Sequence, residues 1–288
     1  MLAVRYEAPR SIQQAIALLR ADPGASILAG GTDLLVQYRA GVRRPTSFVD
    51  VKQIPELVGI TIDEAGLTLG AATCAADICE HAEVRRLWPG LVEAAHLIGS
   101  TQIQGRGSIG GNLCNASPAA DTTCALIVNR AECVIAGPRG ERVVPVEQFC
   151  TGPGQTLLGA AELLVALRVP RPVARTGDAY LRLIPRSEMD IAVAAAGVSV
   201  TLDADGVCTR ARVAIGAVGP IGLLVPDAAD AVVGSRLDPA ALQRAAEAAS
   251  AAARPIDDKR GTIAYRRRVV GVLTKRALGI AFSRAKER

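Results

Sequence analysis

The residues best suited to chemistry in this sequence lie in a glycine-rich segment, Ile27–Leu34, which reads ILAGGTDL. A short apolar strand that runs into Gly30-Gly31 and then into a helix exposes several backbone N–H groups, which bind anions, typically phosphate. Glycine suits such a turn because the backbone must approach a phosphate without an intervening Cβ atom. Asp33 could cap the helix or accept a hydrogen bond from a ligand hydroxyl. On this segment alone, a turn that only joins a strand to a helix is an equal alternative.

A second glycine-rich segment, Gly105–Asn112, contains G-x-G-x-x-G at positions 105, 107 and 110. This pattern marks a Rossmann dinucleotide site only if a strand precedes it and a helix follows at once. The preceding Ser100–Gln104 is polar, and the following Asn112–Pro118 is poor helix material, so we expect a second phosphate-binding loop instead. Two such loops suit a pyrophosphate. Asp121 could accept a hydrogen bond from a sugar hydroxyl or cap a helix over residues 122–128.

A third segment places alternating charges among apolar residues between Leu181 and Ala192. Arg182 and Arg186 could face a phosphate or a reduced, anionic flavin ring. The alternative is a strand edge with ordinary salt bridges, which is the default for such a run.

Cysteines and histidines do not form a convincing metal site. The seven cysteines are an odd number in a chain too long to need disulfides, so we expect reduced thiols and a cytoplasmic location. Cys74 and Cys79 lack the third cysteine that plant-type iron–sulfur proteins need, and two histidines are too few for zinc. Any redox chemistry must come from a bound cofactor or a partner.

Composition excludes several classes of protein. Of 288 residues, 50% are hydrophobic, which excludes a disordered chain, and only 3% are aromatic, which argues against a stacking surface for single-stranded nucleic acid. No apolar run is long enough to predict a membrane span. The net charge is +5, and ten Lys or Arg residues with one acid lie between Lys259 and Arg288. This basic end is either a solvated helix or a docking face for an acidic partner.

The elements that must position these residues form an α+β pattern. Ser11 caps a predicted helix within residues 9–21, and an alanine-rich helix and a basic amphipathic helix are expected over 239–253 and 262–285. Residues 104–121 are expected to form one long ordered loop, which is usually functional. A composition shift at 170–178 predicts a linker between two domains.

Five motifs in register resemble the FAD-binding subunit of the molybdenum hydroxylases, the group of xanthine dehydrogenase and carbon monoxide dehydrogenase. The motifs are AGGTDLL at 29–35, GSIGGNLCNASPAAD at 107–121, GPGQT at 152–156, ELLVALRVP at 162–170 and RSEMDIA at 186–192. The resemblance implies an α+β fold: a vanillyl-alcohol-oxidase-type FAD-binding domain of two α/β subdomains over residues 1–175. A smaller α/β C-terminal domain, like that of carbon monoxide dehydrogenase flavoprotein, would span 176–288.

The resemblance also implies a set of FAD-binding residues, with no catalytic residue or metal ligand in this chain. Ile27–Leu34 would wrap the pyrophosphate, Asp121 would hold a cofactor hydroxyl, and Leu164 would give a main-chain contact. The full set is Ile27, Leu28, Ala29, Gly30, Gly31, Thr32, Asp33, Leu34, Ile98, Ser108, Ile109, Gly110, Gly111, Asn112, Cys114, Asp121, Leu164, Arg182 and Ile191.

This sequence departs from the family pattern at four positions. Gly105 replaces the usual Asn, Ser108 the usual Thr, and Cys114 a common Ala. Arg182 stands where eukaryotic relatives carry a flavin-contacting Lys, and an Arg keeps the charge but not the geometry. Because Ser108 keeps the hydroxyl, we expect FAD binding to survive.

The function implied by the resemblance is electron transfer within a heterotrimeric oxidoreductase. FAD in this chain would take electrons from two [2Fe–2S] clusters in a small partner subunit and pass them to an external acceptor. A large partner would hold the molybdenum cofactor, in a dimer of heterotrimers. The hydroxylated substrate and the final acceptor stay open. The alternatives are a stand-alone NAD-linked dehydrogenase using the glycines at 105–110 and a non-catalytic assembly subunit.

Overall fold

A computed structural model describes residues 4–288, and its first layer is a small parallel sheet. Strands β1 and β2 flank β3, so the order is β1-β3-β2. The elements are β1 (Arg5–Glu7), α1 (Ile12–Ala21), β2 (Ser26–Leu28), α2 (Leu34–Arg39) and β3 (Ser47–Asp50). Ser11 caps α1 as predicted, because its hydroxyl accepts the Gln14 N–H at 3.2 Å.

A second, antiparallel sheet has the strand order β4-β5-β10-β6-β7, with six helices inserted between β5 and β6. Its strands are β4 (Ile60–Ile62), β5 (Gly66–Gly70), β6 (Glu132–Gly137), β7 (Gly140–Pro145) and β10 (Leu163–Pro170). The hairpin strands β8 (Cys150–Gly152) and β9 (Gln155–Thr156) lie between β7 and β10. The inserted helices are α3 (Ala75–Glu80), α4 (Ala82–Leu87), α5 (Pro89–His96), α6 (Thr101–Gln104), α7 (Ile109–Cys114) and α8 (Asp121–Val128).

The prediction of one long loop over residues 104–121 is wrong, because α7 forms within it. Ser108 begins this helix as its N-cap, and its hydroxyl accepts the Gly111 N–H at 3.1 Å. A helix therefore does follow these glycines, contrary to the prediction. The prediction that no strand precedes them is confirmed, since helix α6 leads into the segment.

The C-terminal part is an antiparallel sheet, β11-β12-β13-β14, covered by helices on both faces. Helix α11 packs on β11 and β12 so closely that a Cβ atom on Gly177 would lie 2.2 Å from the Ala281 carbonyl oxygen. Helix α8 contacts the sheet at Gly197 and Gly216. The elements are β11 (Thr176–Leu183), β12 (Ala194–Leu202), β13 (Cys208–Gly216), β14 (Leu223–Leu224), α9 (Pro226–Asp230), α10 (Pro239–Ala252) and α11 (Ile263–Lys286).

Several basic side chains of helix α11 make ion pairs or hydrogen bonds within this chain. Arg266 is 4% exposed, pairs with Asp258 at 2.6 Å and donates to the Val193 carbonyl at 2.8 Å. Arg284 pairs with Glu93 on α5. Helix α11 is therefore neither fully solvated nor purely a docking face, because several of its cations bind other residues of this chain. None of the helices formed by residues 4–288 could cross a membrane.

Candidate functional site

The two glycine-rich segments meet at one cleft of about 700 Å³. The cleft lies where the loop after β2 approaches the N-terminus of α7. Residues from β10 and from the segment 158–162 complete its wall. The segments are separated by 70 residues in sequence, so the fold, not local spacing, brings them together.

The first loop, residues 29–33, packs directly on the second. A Cβ atom on Gly30 would lie 1.9 Å from the Arg106 carbonyl oxygen, and Gly31 has a positive φ of 73°. Both positions therefore require glycine for reasons internal to the protein. The backbone N–H groups of Gly30, Gly31 and Thr32 have no acceptor within residues 4–288, so they are available to a ligand.

The second loop is fixed from behind by the protein backbone. A Cβ atom on Gly110 would lie 2.3 Å from the Ala71 carbonyl oxygen, so α7 approaches the end of β5 closely. The Gly107 carbonyl accepts the Ala75 N–H at 2.8 Å. Ser108 is 3% exposed, and its hydroxyl already caps α7. These contacts give the cleft a rigid floor.

Two hydrogen bonds between side chains link the elements that surround the cleft. Gln37 on α2 donates from Nε2 to Asn115 Oδ1 at 3.1 Å, and both residues line the cleft. Asn112 on α7 accepts from the Thr122 hydroxyl at 2.8 Å, which ties the second loop to α8. The cleft is thus held open by bonds that do not depend on a ligand.

Asp33 faces the cleft without a partner in the described chain. It stands at the N-cap position of α2 but makes no side-chain capping bond, so the capping interpretation is wrong. Burial raises the pKa of its carboxyl above the ordinary value. An acceptor in this position suits a ligand hydroxyl.

Asp121 and Arg182 form a buried ion pair that does not line the cleft. Arg182 Nη1 lies 2.7 Å from Asp121 Oδ1, with side chains 5% and 10% exposed respectively. The Tyr180 hydroxyl donates to the same oxygen at 3.3 Å, and Arg182 Nε is buried without a partner among residues 4–288. Burial raises the pKa of Asp121, opposed by Arg182 and Tyr180. Asp121 begins α8 but does not cap it, so that alternative is wrong.

Most of the predicted site residues line the cleft, and five do not. Leu28 and Ile109 are buried in the core, and Ile191 is 53% exposed on the connection between β11 and β12. Asp121 and Arg182 are joined to each other as described above. The residues brought together are Ile27, Ala29, Gly30, Gly31, Thr32, Asp33, Leu34, Ile98, Ser108, Gly110, Gly111, Asn112, Cys114 and Leu164.

Cys114 lies on the cleft wall with its thiol in a desolvated environment. Burial raises its pKa to about 12, with a smaller contribution from Cys150. A raised pKa favours the thiol over the nucleophilic thiolate at neutral pH.

Several parts of the cleft were not predicted from the sequence. Arg20 and Arg43 stand exposed at its rim, and residues 158–162 line one side. Asp22 also lines it, but its pKa is lowered to about 2 by hydrogen bonds from Thr46 and Ser47, so it serves the fold. These residues come from separate elements, and only the GPGQT motif at 152–156 and the ELLVALRVP motif at 162–170, which flank residues 158–162, pointed towards any of them.

Comparison with known proteins gives matches along nearly the whole chain. Two family models match: "FAD binding domain in molybdopterin dehydrogenase" over residues 2–172 and "CO dehydrogenase flavoprotein C-terminal domain" over residues 179–281. The carbon monoxide dehydrogenase medium chain of Hydrogenophaga pseudoflava is 35% identical over 280 residues, covering 97% of each chain. The xanthine dehydrogenase FAD-binding subunit of Escherichia coli O157:H7 is 32% identical over 282 residues, covering 97% of this chain and 96% of that protein.

Solved structures match equally far. Carbon monoxide dehydrogenase from Hydrogenophaga pseudoflava superposes with a TM-score of 0.94 at 35% identity and covers 98% of both chains. Quinoline 2-oxidoreductase from Pseudomonas putida 86 gives a TM-score of 0.92 at 29% identity, with the same coverage.

Proposed function

Because this chain belongs to the family of FAD-binding subunits of the molybdenum hydroxylases, we propose that it passes electrons from a partner's iron–sulfur clusters to an external acceptor. Membership confirms the predicted family, the α+β fold class with its FAD-binding and CO-dehydrogenase-type C-terminal domains, the FAD cofactor and the oxidoreductase class. It removes the stand-alone NAD-linked dehydrogenase. We place the domain boundary at residues 175/176, where the connection from β10 ends and β11 begins.

The cleft fits FAD on grounds internal to this structure. Its volume of about 700 Å³ lies in the range of small-molecule sites, and it is bordered by two loops rather than one. The unpartnered N–H groups of Gly30, Gly31 and Thr32 can receive an anion. This convergence of two glycine loops on one cleft is the observation that carries the proposal.

We assign the pyrophosphate of FAD to these N–H groups. The exposed guanidinium groups of Arg20 and Arg43 at the rim add positive charge without a salt-bridge partner in the described chain. Asp33 would accept a hydrogen bond from a sugar or ribityl hydroxyl. We assign direct contacts with FAD to the predicted residues that line the cleft.

Asp121, Arg182 and Ile191 are assigned to the flavin end of the site. Bound flavin can take up electrons singly or in pairs and release them in either form. Arg182 would place a fixed, buried cation near this end, and the Asp121 carboxylate would hold its guanidinium in one orientation. The protein's task is therefore to bind, orient and shield the cofactor.

The partners follow from the same proposal. We propose a small subunit with two [2Fe–2S] clusters and a large subunit with the molybdenum cofactor, assembled as a dimer of heterotrimers in the cytoplasm. The similar Hydrogenophaga pseudoflava enzyme has a structure described as lacking the Mo-pyranopterin moiety of its molybdenum cofactor, which supports a molybdenum-containing partner.

Rapid mixing tests the electron-transfer step. The FAD-loaded chain is mixed with the small partner subunit whose clusters have been reduced, and flavin absorbance is followed at about 450 nm. We expect the band to bleach and to return when an electron acceptor is added. A chain that dithionite bleaches but the reduced partner does not would contradict the proposal.

A further inference from the structure

A chain of hydrogen bonds supports the first glycine loop from the side of the parallel sheet. Lys52 Nζ donates to the Ala29 carbonyl oxygen at 2.7 Å and to Asp50 Oδ1 at 2.7 Å. The Tyr6 hydroxyl donates to the other carboxylate oxygen of Asp50 at 2.6 Å. Residues of three separate elements thus form one chain of hydrogen bonds, and Lys52 at its end binds the carbonyl group of the loop.

The anchored carbonyl fixes the direction of the neighbouring N–H group. In a trans peptide the C=O of Ala29 and the N–H of Gly30 lie in one plane and point in opposite directions. Lys52 binds the carbonyl, so the Gly30 N–H points away from Lys52. Gly30 lines the cleft and its N–H has no acceptor within residues 4–288.

Lys52 is itself held in place. Asp50 is 6% exposed and accepts the Lys52 backbone N–H at 3.0 Å, at the start of a 3-10 helix over Val51–Gln53. Burial would raise the pKa of Asp50, but the hydrogen bonds from Lys52 and Tyr6 lower it overall, so the carboxylate is ionised at neutral pH. The Lys52 side chain is 28% exposed and has little freedom to leave this position.

The loop is therefore confined from two sides. Lys52 holds the Ala29 carbonyl on one side, and on the other Gly30 packs so closely on the Arg106 carbonyl that no side chain would fit between them. A peptide plane held in this way does not have to reorganise when an anion binds.

We propose that Lys52 is a positioning residue for FAD: by holding the Ala29 carbonyl, it presents the Gly30 N–H to the anionic pyrophosphate. This inference rests on the proposed function of the cleft. It assigns to Lys52, Asp50 and Tyr6 a role that no sequence motif indicates.

The test compares FAD affinity in full-length variants whose folding is first checked by thermal unfolding. Lys52→Met removes the donor and the charge, whereas Lys52→Arg keeps both in a different geometry. Lys275→Met is the matched control, because Lys275 is exposed on α11 and away from the cleft. FAD and riboflavin, which has no phosphate, are titrated into each apoprotein.

Because Lys52→Met removes a hydrogen bond from a charged donor, we expect it to weaken FAD binding by about tenfold or more. Riboflavin binding should change by less than about twofold, and Lys52→Arg should recover much of the loss. Wild-type FAD affinity in Lys52→Met, or equal losses for FAD and riboflavin, would overturn the inference. A folded wild-type chain that binds no FAD would instead contradict the proposed function.

Discussion

At the residue scale, the site joins groups whose chemistry depends on one another. Asp121 and Arg182 are far apart in sequence, yet their side chains share one buried ion pair. The sequence indicated each as a separate ligand contact. Their pairing follows from the packing of α8 against the C-terminal sheet, which no local pattern encodes.

This pair should control stability in a pH-dependent way. The folded-state pKa of Asp121 is raised by burial, so folding favours its protonated form. The stabilisation that comes from protonated Asp121 is fully present below the pKa of this carboxyl in the unfolded chain, about 3.9. It is lost as pH rises through the pKa of Asp121 in the folded state. Arg182→Met removes the opposing cation and raises the pKa of Asp121 further. We expect a loss of about 3 kcal/mol in the free energy of unfolding near neutral pH and a smaller loss at lower pH.

Urea unfolding at about pH 5 and about pH 8, at a fixed FAD concentration, measures this difference. The double variant Asp121→Asn, Arg182→Met is the control, because it leaves no buried charge and should recover part of the stability. A loss in Arg182→Met that is the same at both pH values would contradict the account.

At the scale of elements, the sequence predicts well where local signals and packing agree. Ser11 and the apolar spacing after it define α1, and the helices expected over 239–253 and 262–285 become α10 and α11. Helix α7 was missed because it is six residues long, contains two glycines and forms only with tertiary contacts at Gly110. A short helix of this kind depends on its cap.

Ser108→Ala therefore tests the link between this cap and the cleft. Loss of an N-cap costs about 1 kcal/mol in the free energy of unfolding. Ser11→Ala is a matched control, because Ser11 caps α1 with similar geometry but does not line the cleft. We expect both variants to be destabilised by similar amounts and only Ser108→Ala to weaken FAD binding. Equal FAD affinities in the two variants would show that the α7 cap does not shape the site.

At the scale of the whole molecule, the C-terminal unit is bound to the rest of the chain by polar contacts. Arg284 pairs with Glu93 on α5, and Arg288 donates to the Leu87 carbonyl at 3.1 Å. The sequence predicts a basic C-terminal helix but not the contacts that its arginines make, because the acceptors lie on elements far away in the chain.

Some parts of the site could be predicted from the sequence, and others depend on the fold. The glycine loops were visible because a backbone that approaches another group closely requires glycine at fixed spacing. Arg20, Arg43 and Lys52 were not visible, since each reaches the cleft or its loop from a different element. Their roles depend on the three-dimensional arrangement of β2, β3 and α1.

The most direct test of the central claim is the visible absorption spectrum of the purified full-length chain after incubation with FAD, followed by identification of the flavin released on denaturation. We expect flavin bands at about 370 and 450 nm and one FAD per chain. A folded chain that stays colourless with added FAD, both alone and together with its partner subunits, would contradict it.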